Sequence, residues 1–404
     1  MKSSVRHPVR RSRVPCAALV LAVASSASDV MAEGDSADGA PPLPWATVSS
    51  SPVPVDDASL DDLERQALHR CGPGDAGLVA TARWIVAQKL RAPMPELDAI
   101  ASAQRASGEP HPWSRAWAET ARVLSPTGAL RGLDEWLGQR SRNALRRCGA
   151  ATGAGPGGTR TLVVVAVDAL ADLTPLPTRV RVGQWLTVNG RLRTHAGGAK
   201  VIVLGPSGAP QPLPTSFDGA VLRASFAPDR AGEFAIQVMA DLPTGPRPVL
   251  EVSLFADVDP PRRRSDAAAP GEDRAASLSD DAAIAEMVGA ARSSAALPSV
   301  VRDIRLDAVA RDHARRMAEG QELAHDVGDG DPIDRMRGAG LEAHDAGENV
   351  AHARNVVLAH RAMWASPSHR ANTLRREFDR AGFAVARDEH GDAWVVELFA
   401  GGLR

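Results

Sequence analysis

The chain has no tyrosine, only three cysteines, and only three lysines (Lys2, Lys89, Lys200) among its 47 basic residues. Alanine, glycine and proline abound, so the lysine shortage reads as a compositional bias, and no function is assigned to the arginines. The net charge of −2 gives no global case for nucleic acid or an anionic membrane surface. Beyond the N-terminal region no segment approaches the about 20 apolar residues of a membrane span, which excludes an integral membrane protein of the helical kind. No Gly-x-Ser-x-Gly elbow occurs, and no cysteine lies in the last third of the chain. A serine or cysteine nucleophile is therefore a weak reading. What remains is a chain of 404 residues, 44% hydrophobic, long enough for two to four domains.

Lys2, Arg6, Arg10, Arg11 and Arg13 form a basic start. Val14 to Ala24 is a short apolar run, and Val30-Met31-Ala32 carries small residues at the cleavage-type positions. Residues 1–32 read as a secretory signal. Cys16 stands at the head of the apolar run rather than after it, which argues against a lipoprotein site. The expected product is soluble and secreted or periplasmic. Two cysteines remain in it, Cys71 and Cys148. In an exported protein such a pair reads as a disulfide before a metal pair, the alternative being two unrelated buried thiols.

Residues 33–56, rich in Ser, Asp, Gly and Pro, read as a disordered lead-in. From 57 to 172 the pattern is helical, with Leu78, Ala82, Ile85 and Leu90 at near-helical spacing. This segment echoes the end of the chain. Leu78 to Arg83 resembles Leu306 to Arg311, Glu135-Trp136-Leu137 resembles Met363-Trp364-Ala365, and Thr161 to Val167 resembles the strand around Val395. From 173 to 258 the period falls to two, with short strands such as Lys200–Leu204 and Val249–Phe255 between turns. An antiparallel β-sandwich is expected, resembling bacterial immunoglobulin-like modules. Residues 259–277, opening Asp259-Pro260-Pro261 and rich in Pro, Ala and Arg, read as a linker.

The last segment, 278–404, holds the chemistry. Ser279 is a plausible N-cap, and Leu306, Val309, His313 and Met317 share a helix face, which makes His313 a core or half-buried histidine and not a ligand. His325 follows in Leu323-Ala324-His325-Asp326. Gly347-Glu348-Asn349-Val350 reads as a glycine-led turn displaying a carboxylate. Ser366-Pro367-Ser368-His369-Arg370-Ala371-Asn372 follows a helix that ends near Trp364, and Asp388 to Asp392 turns a terminal hairpin. Two imidazoles and a carboxylate that converge can hold a divalent metal or act as acid and base. His344, His352, His360 and His390 have no motif context and read as surface residues.

Taken together, these motifs resemble the CAP superfamily (cysteine-rich secretory proteins, antigen 5, pathogenesis-related proteins) in its short bacterial form. The resemblance implies an α-β-α sandwich at the C-terminus and makes the first domain a degenerate CAP-like copy without the site. It implies a cleft in which His325, Glu348 and His369 match three of the family's two histidines and two acids. The second acid has no match, and Ser366 stands nearest in register. Zn²⁺ is the metal such donors suit. The implied role is non-enzymatic binding of an unknown lipid, glycan or protein ligand. The alternatives are a metal-dependent hydrolase with Glu348 as base, or a cell-envelope adhesion or structural protein. Cleavage after Ala32 is the first testable expectation. N-terminal sequencing of exported material should begin at Glu33, and a mature chain starting at Met1 would reject it.

Overall fold

The computed structural model describes residues 45–48, 54–89, 94–138, 145–243, 245–262 and 267–404. The signal segment 1–32 lies outside them. Among the described residues no helix is long and apolar enough to cross a membrane.

The first domain builds α1 (Asp62–Cys71), α2 (Ala76–Lys89), α3 (Leu97–Ala106), β1 (Arg115–Ala121), α4 (Pro126–Gly138), β2 (Arg146–Ala154) and β3 (Arg160–Asp168). The expectation of a helical segment is thus corrected. The three strands pair antiparallel in the order β1-β3-β2. Alternation along β3 divides its neighbours. Leu162, Val164 and Ala166 meet α1 and α4, while Val163, Val165 and Val167 meet α2 and α3. The result is a sheet between two helical layers.

The middle strands are β4 (Ala171–Leu173), β5 (Arg179–Val180), β6 (Leu186–Leu192), β7 (Ala199–Leu204), β8 (Gln211–Leu213), β9 (Thr215–Phe217), β10 (Val221–Phe226), β11 (Gly232–Leu242) and β12 (Gly245–Ala256). They form two sheets, β4-β6-β10-β9 and β5-β12-β11-β7-β8. Both contribute to one core, from Val188 and Phe226 on one side to Val201, Ile236 and Leu254 on the other. The pairing is antiparallel except between β5 and β12. The lead-in does not end loose. Val48 bridges to Leu176 and is buried in this core, and Trp45 stacks edge-on to Phe255 at 4.6 Å.

The C-terminal part comprises α5 (Glu272–Ala275), α6 (Asp280–Ser294), β13 (Val301–Arg302), α7 (Ile304–Gly320), α8 (Pro332–Gly338), β14 (Asp345–Ala353), α9 (Val356–Ala365), α10 (Pro367–Thr373), β15 (Arg380–Arg387) and β16 (Ala393–Gly401). The strand order is β13-β15-β16-β14. Val395 and Phe399 face α6 and α9, whereas Val396, Leu398 and Ala400 face α7 and α8. This is an α-β-α sandwich. The second half of the linker belongs to it: Ala275 is buried in its core, and Glu272 accepts from Arg361 Nε at 2.9 Å.

The two outer domains share one plan. Setting α5, β13 and α10 aside, helices and strands follow in the same order, and β1-β3-β2 matches β14-β16-β15. Two details repeat as well. A Cβ on Gly149 of β2 would stand 2.1 Å from the Leu78 backbone, and one on Gly382 of β15 would stand 2.2 Å from the Leu306 backbone. Only glycine lets the helix lie that close to the strand. Glu64 of α1 accepts from the Thr152 amide at 2.6 Å, and Asp281 of α6 accepts from the Val385 amide at 2.9 Å. An acid in the first helix thus pins the same strand in both.

Cys71 and Cys148 are bridged, with Cα atoms 6.1 Å apart, tying the end of α1 to β2 across 77 residues. Chain entropy allows about 4.5 kcal/mol for such a loop. The double variant Cys71→Ala/Cys148→Ala should lose about 2–4 kcal/mol in urea unfolding. Unchanged stability would remove the bridge from the account of this domain.

Candidate functional site

Glu348 does not sit on a turn. It lies in the edge strand β14, opposite Leu398, and Gly347 before it is not in the left-handed region. The glycine has another reason. A Cβ there would stand 2.7 Å from the Phe378 ring. The backbone alternation then sends Glu348 toward the α7/α8 layer and Asn349 toward α9 and α10.

The Glu348 side chain is 1% exposed and both its oxygens are engaged. Oε1 meets His325 Nδ1 at 2.9 Å, and Oε2 accepts from the Arg335 guanidinium. Burial raises the affinity of this carboxyl for a proton, but His325 and Arg335 outweigh it and hold Glu348 below the usual carboxylate range. Arg335 also donates to the carbonyls of His325 (2.7 Å) and Gly330 (2.6 Å). His313, buried in α7 as expected of a core residue, bonds Asp329 at 2.9 Å and the Ala324 carbonyl at 3.0 Å. The loop carrying His325 is therefore fixed from both flanks.

His369 stands near the start of α10, whose N-terminus follows the Pro367 break. Asn349 Nδ2 donates to the His369 carbonyl at 3.1 Å and to Glu397 Oε2 at 2.8 Å. Asn372 Nδ2 donates to the Glu348 carbonyl at 3.1 Å and to Asn349 Oδ1 at 3.0 Å. The Gly-Glu-Asn and Ser-Pro-Ser-His-Arg-Ala-Asn motifs thus interlock through their asparagines. Buried Arg292 secures the other end of α10 by donating to the carbonyls of Thr373 (2.9 Å) and Arg375 (2.8 Å). His369 Nδ1 is sealed from solvent and has no hydrogen-bond partner among the described residues. Burial, and then the neighbouring His325, push the His369 imidazole down to about 4.

The three expected donors do not converge as one cluster. Among the described residues the one group of three or more His, Cys, Asp or Glu with ligand atoms mutually within 4.8 Å is His352, Asp388 and Asp392. His325 and Glu348 are paired, His369 is close enough to His325 to feel its charge, and Glu348 orients His325 rather than facing open space. Ser366, at the place of the missing acid, accepts from Gln237 Nε2 of β11 at 3.2 Å, and Gln237 Oε1 accepts from the Ser368 amide at 3.0 Å. Gly245, at the start of β12, abuts His325: a Cβ there would lie 3.1 Å from His325 Cβ. The sandwich ribbon β11–β12 borders the site.

Several members were missed. Arg335 and Asp329 carried no motif; the buried Glu348 demanded a cation, and that demand was the available signal. Two histidines read as surface residues are not. His360 is 1% exposed in α9, with Nδ1 3.5 Å from Glu397, and His352 is half-buried against Trp394. His344 and His390 are exposed.

Residues 285–399 match the model of the cysteine-rich secretory protein family, CAP. The C-terminal part of this chain is a CAP domain. No curated protein matches the chain. Solved structures similar to it include an outer surface protein from Borrelia burgdorferi, at 19% identity over 30% of this chain and 92% of that one, with TM-score 0.28. Another is an extracellular protein containing a SCP domain from Bacillus anthracis, at 19% identity over 43% of this chain and 65% of that one, TM-score 0.29. A third is a cysteine-rich secretory protein from Staphylococcus aureus, at 11% identity over 58% and 81%, TM-score 0.26.

The CAP-domain imidazole of His369 gives a pH signature. Its ordinary value is 6.5 and its folded value about 4, so between these the unfolded chain takes up a proton that the folded chain refuses. Stability should fall as pH falls through that window and be flat for this group above it. Between pH 7 and 5 the loss from His369 should be about 2 kcal/mol. Urea unfolding of the wild type and His369→Gln checks it: the variant should show a correspondingly smaller loss, and parallel curves would refute it.

Proposed function

We propose that the CAP domain is a non-enzymatic, exported binding module in which His325 and His369 offer imidazole nitrogens to a divalent metal and a lipid, glycan or protein ligand. The observation that carries this reading is the pair of imidazoles with uncommitted nitrogens. His325 is oriented through Nδ1 by Glu348, leaving Nε2, and His369 Nδ1 is sealed and unpartnered. A carboxylate behind a ligating histidine is the usual arrangement at metal sites, where it fixes the tautomer and raises ligand basicity. Glu348 fits that supporting role and not the direct-ligand role first expected of it. Two imidazoles with remaining positions for water or ligand suit Zn²⁺ better than Mg²⁺ or Ca²⁺. Such a metal would supply a Lewis-acid anchor for a ligand oxygen.

The hydrolase alternative asks Glu348 to act as a general base. A base must reach the proton it removes. Both Glu348 oxygens are occupied, one by a guanidinium that depresses its basicity, which disfavours that role. The adhesion alternative places the partners on the immunoglobulin-like middle domain and the first domain, a degenerate CAP-like copy without the motifs of the site. Export is supported by the basic-apolar start and by the disulfide, which belongs to an oxidising compartment.

Calorimetric titration of Zn²⁺ into the full chain at pH 7.5 and 5.5 is the test. His369, held down to about 4, is neutral at both pH values, so its part in binding should persist at the lower pH. His325→Ala and His369→Ala should each lose at least about tenfold in affinity at this site. Equal binding by all three proteins would exclude these histidines as ligands.

A further inference from the structure

We propose that His352, Asp388 and Asp392 form a second divalent-cation site, separate from the His325/His369 pair, at the far end of the CAP sheet. His352 lies near the end of β14, opposite Trp394 of β16, and the two aspartates flank the β15–β16 turn. His352 Nε2 is 3.8 Å from Asp388 Oδ2 and 3.7 Å from Asp392 Oδ2. Those gaps are too long for hydrogen bonds. They are close to the spacing of donors that share one ion, about 3.4 Å for tetrahedral bonds of about 2.1 Å. The same Nε2 is sealed from solvent and has no hydrogen-bond partner among the described residues. A buried imidazole nitrogen within 4 Å of two carboxylates, and hydrogen-bonded to neither, is placed to share one cation with them.

The donors are held in place independently of any ion. The His352 ring stacks on Trp394 at 4.1 Å with planes 23° apart. Trp394 Nε1 donates to Asp388 Oδ2 at 3.1 Å, and Gln321 Nε2 approaches the same oxygen at 3.4 Å. Asp388 Oδ1 accepts from the amides of His390 and Asp392, both at 3.0 Å. One tryptophan thus sets the imidazole plane and one carboxylate, the second-layer support that ligand groups at metal sites display. Asp392 is 35% exposed and gives an entry path. Glu96, on the first domain, is near enough to Asp392 to feel its charge and is paired with Arg354. One nitrogen and two carboxylate donors suit Zn²⁺ or Mn²⁺ rather than Ca²⁺ or Mg²⁺, which prefer all-oxygen shells.

The test uses the full chain in the His325→Ala/His369→Ala background, so that it stands whether or not the proposed cleft binds metal. Zn²⁺ and Mn²⁺ are titrated calorimetrically at pH 7.5, and thermal unfolding is followed with and without each metal. The background protein should bind one equivalent of Zn²⁺ or Mn²⁺ and unfold at a higher temperature when loaded. Adding Asp392→Asn, which retains shape and removes the charge, should weaken binding at least tenfold and erase the thermal shift. His352→Gln should do the same. A background protein that binds neither metal, or binding and thermal shift unchanged by Asp392→Asn, would overturn the proposal.

Discussion

The carboxylate of Glu348 sets the rest of the CAP site. A charge with 1% of its side chain exposed is unfavourable unless it is paired, and removing one partner of such a pair costs about 3–5 kcal/mol. Arg335 supplies the pairing and is itself 6% exposed, so neither charge has water to fall back on. Because Arg335 also holds the carbonyls of His325 and Gly330, neutralising Glu348 and shaping the His325 loop are one act. That loop has no regular structure of its own; a buried ion pair takes the place of a backbone ladder. The same carboxylate also holds the His325 ring through Nδ1 at 2.9 Å.

The site does not belong to the CAP domain alone. Gln237, fully buried in β11, divides its amide among Ser366, Ser368 and Glu251 Oε1, the last at 2.7 Å. Glu251 in turn receives Arg105 of the first domain at 3.1 Å, and its amide donates to the Pro110 carbonyl at 2.7 Å. A single polar chain runs from α3 through the ribbon β11–β12 to α10. The middle domain thus bears on both neighbours.

Much of this was legible in sequence where a side chain's type dictated its place. His313 fell on the apolar face of α7, the helix break fell at Pro367, and the turn of the last hairpin fell at Asp388 to Asp392. The glycine of the Gly-Glu-Asn motif misled, because glycine serves close approach as well as left-handed turns, and sequence does not say which. Two strands of the first domain, β1 and β2, were hidden for a different reason. Arg115–Ala121 and Arg146–Ala154 hold few β-branched residues, and alanine and glycine, which normally argue against strands, are there because helices press on them. The acids and cations that complete the site were invisible because pairing across 13 or 37 residues leaves no local pattern.

The repeated plan has a consequence for how the chain reaches its native state. Two sheets of the same strand order, each with a glycine that admits a helix at the same spot, offer each other plausible wrong partners. Chains with repeated units characteristically fail by exchanging such elements. The cysteines break this degeneracy, since α1 and β2 carry both members of the bridge and the second copy carries none. Once the bond closes, the first helix and its strand are committed to each other, and the interchange that would trap the chain is closed off covalently on one side only.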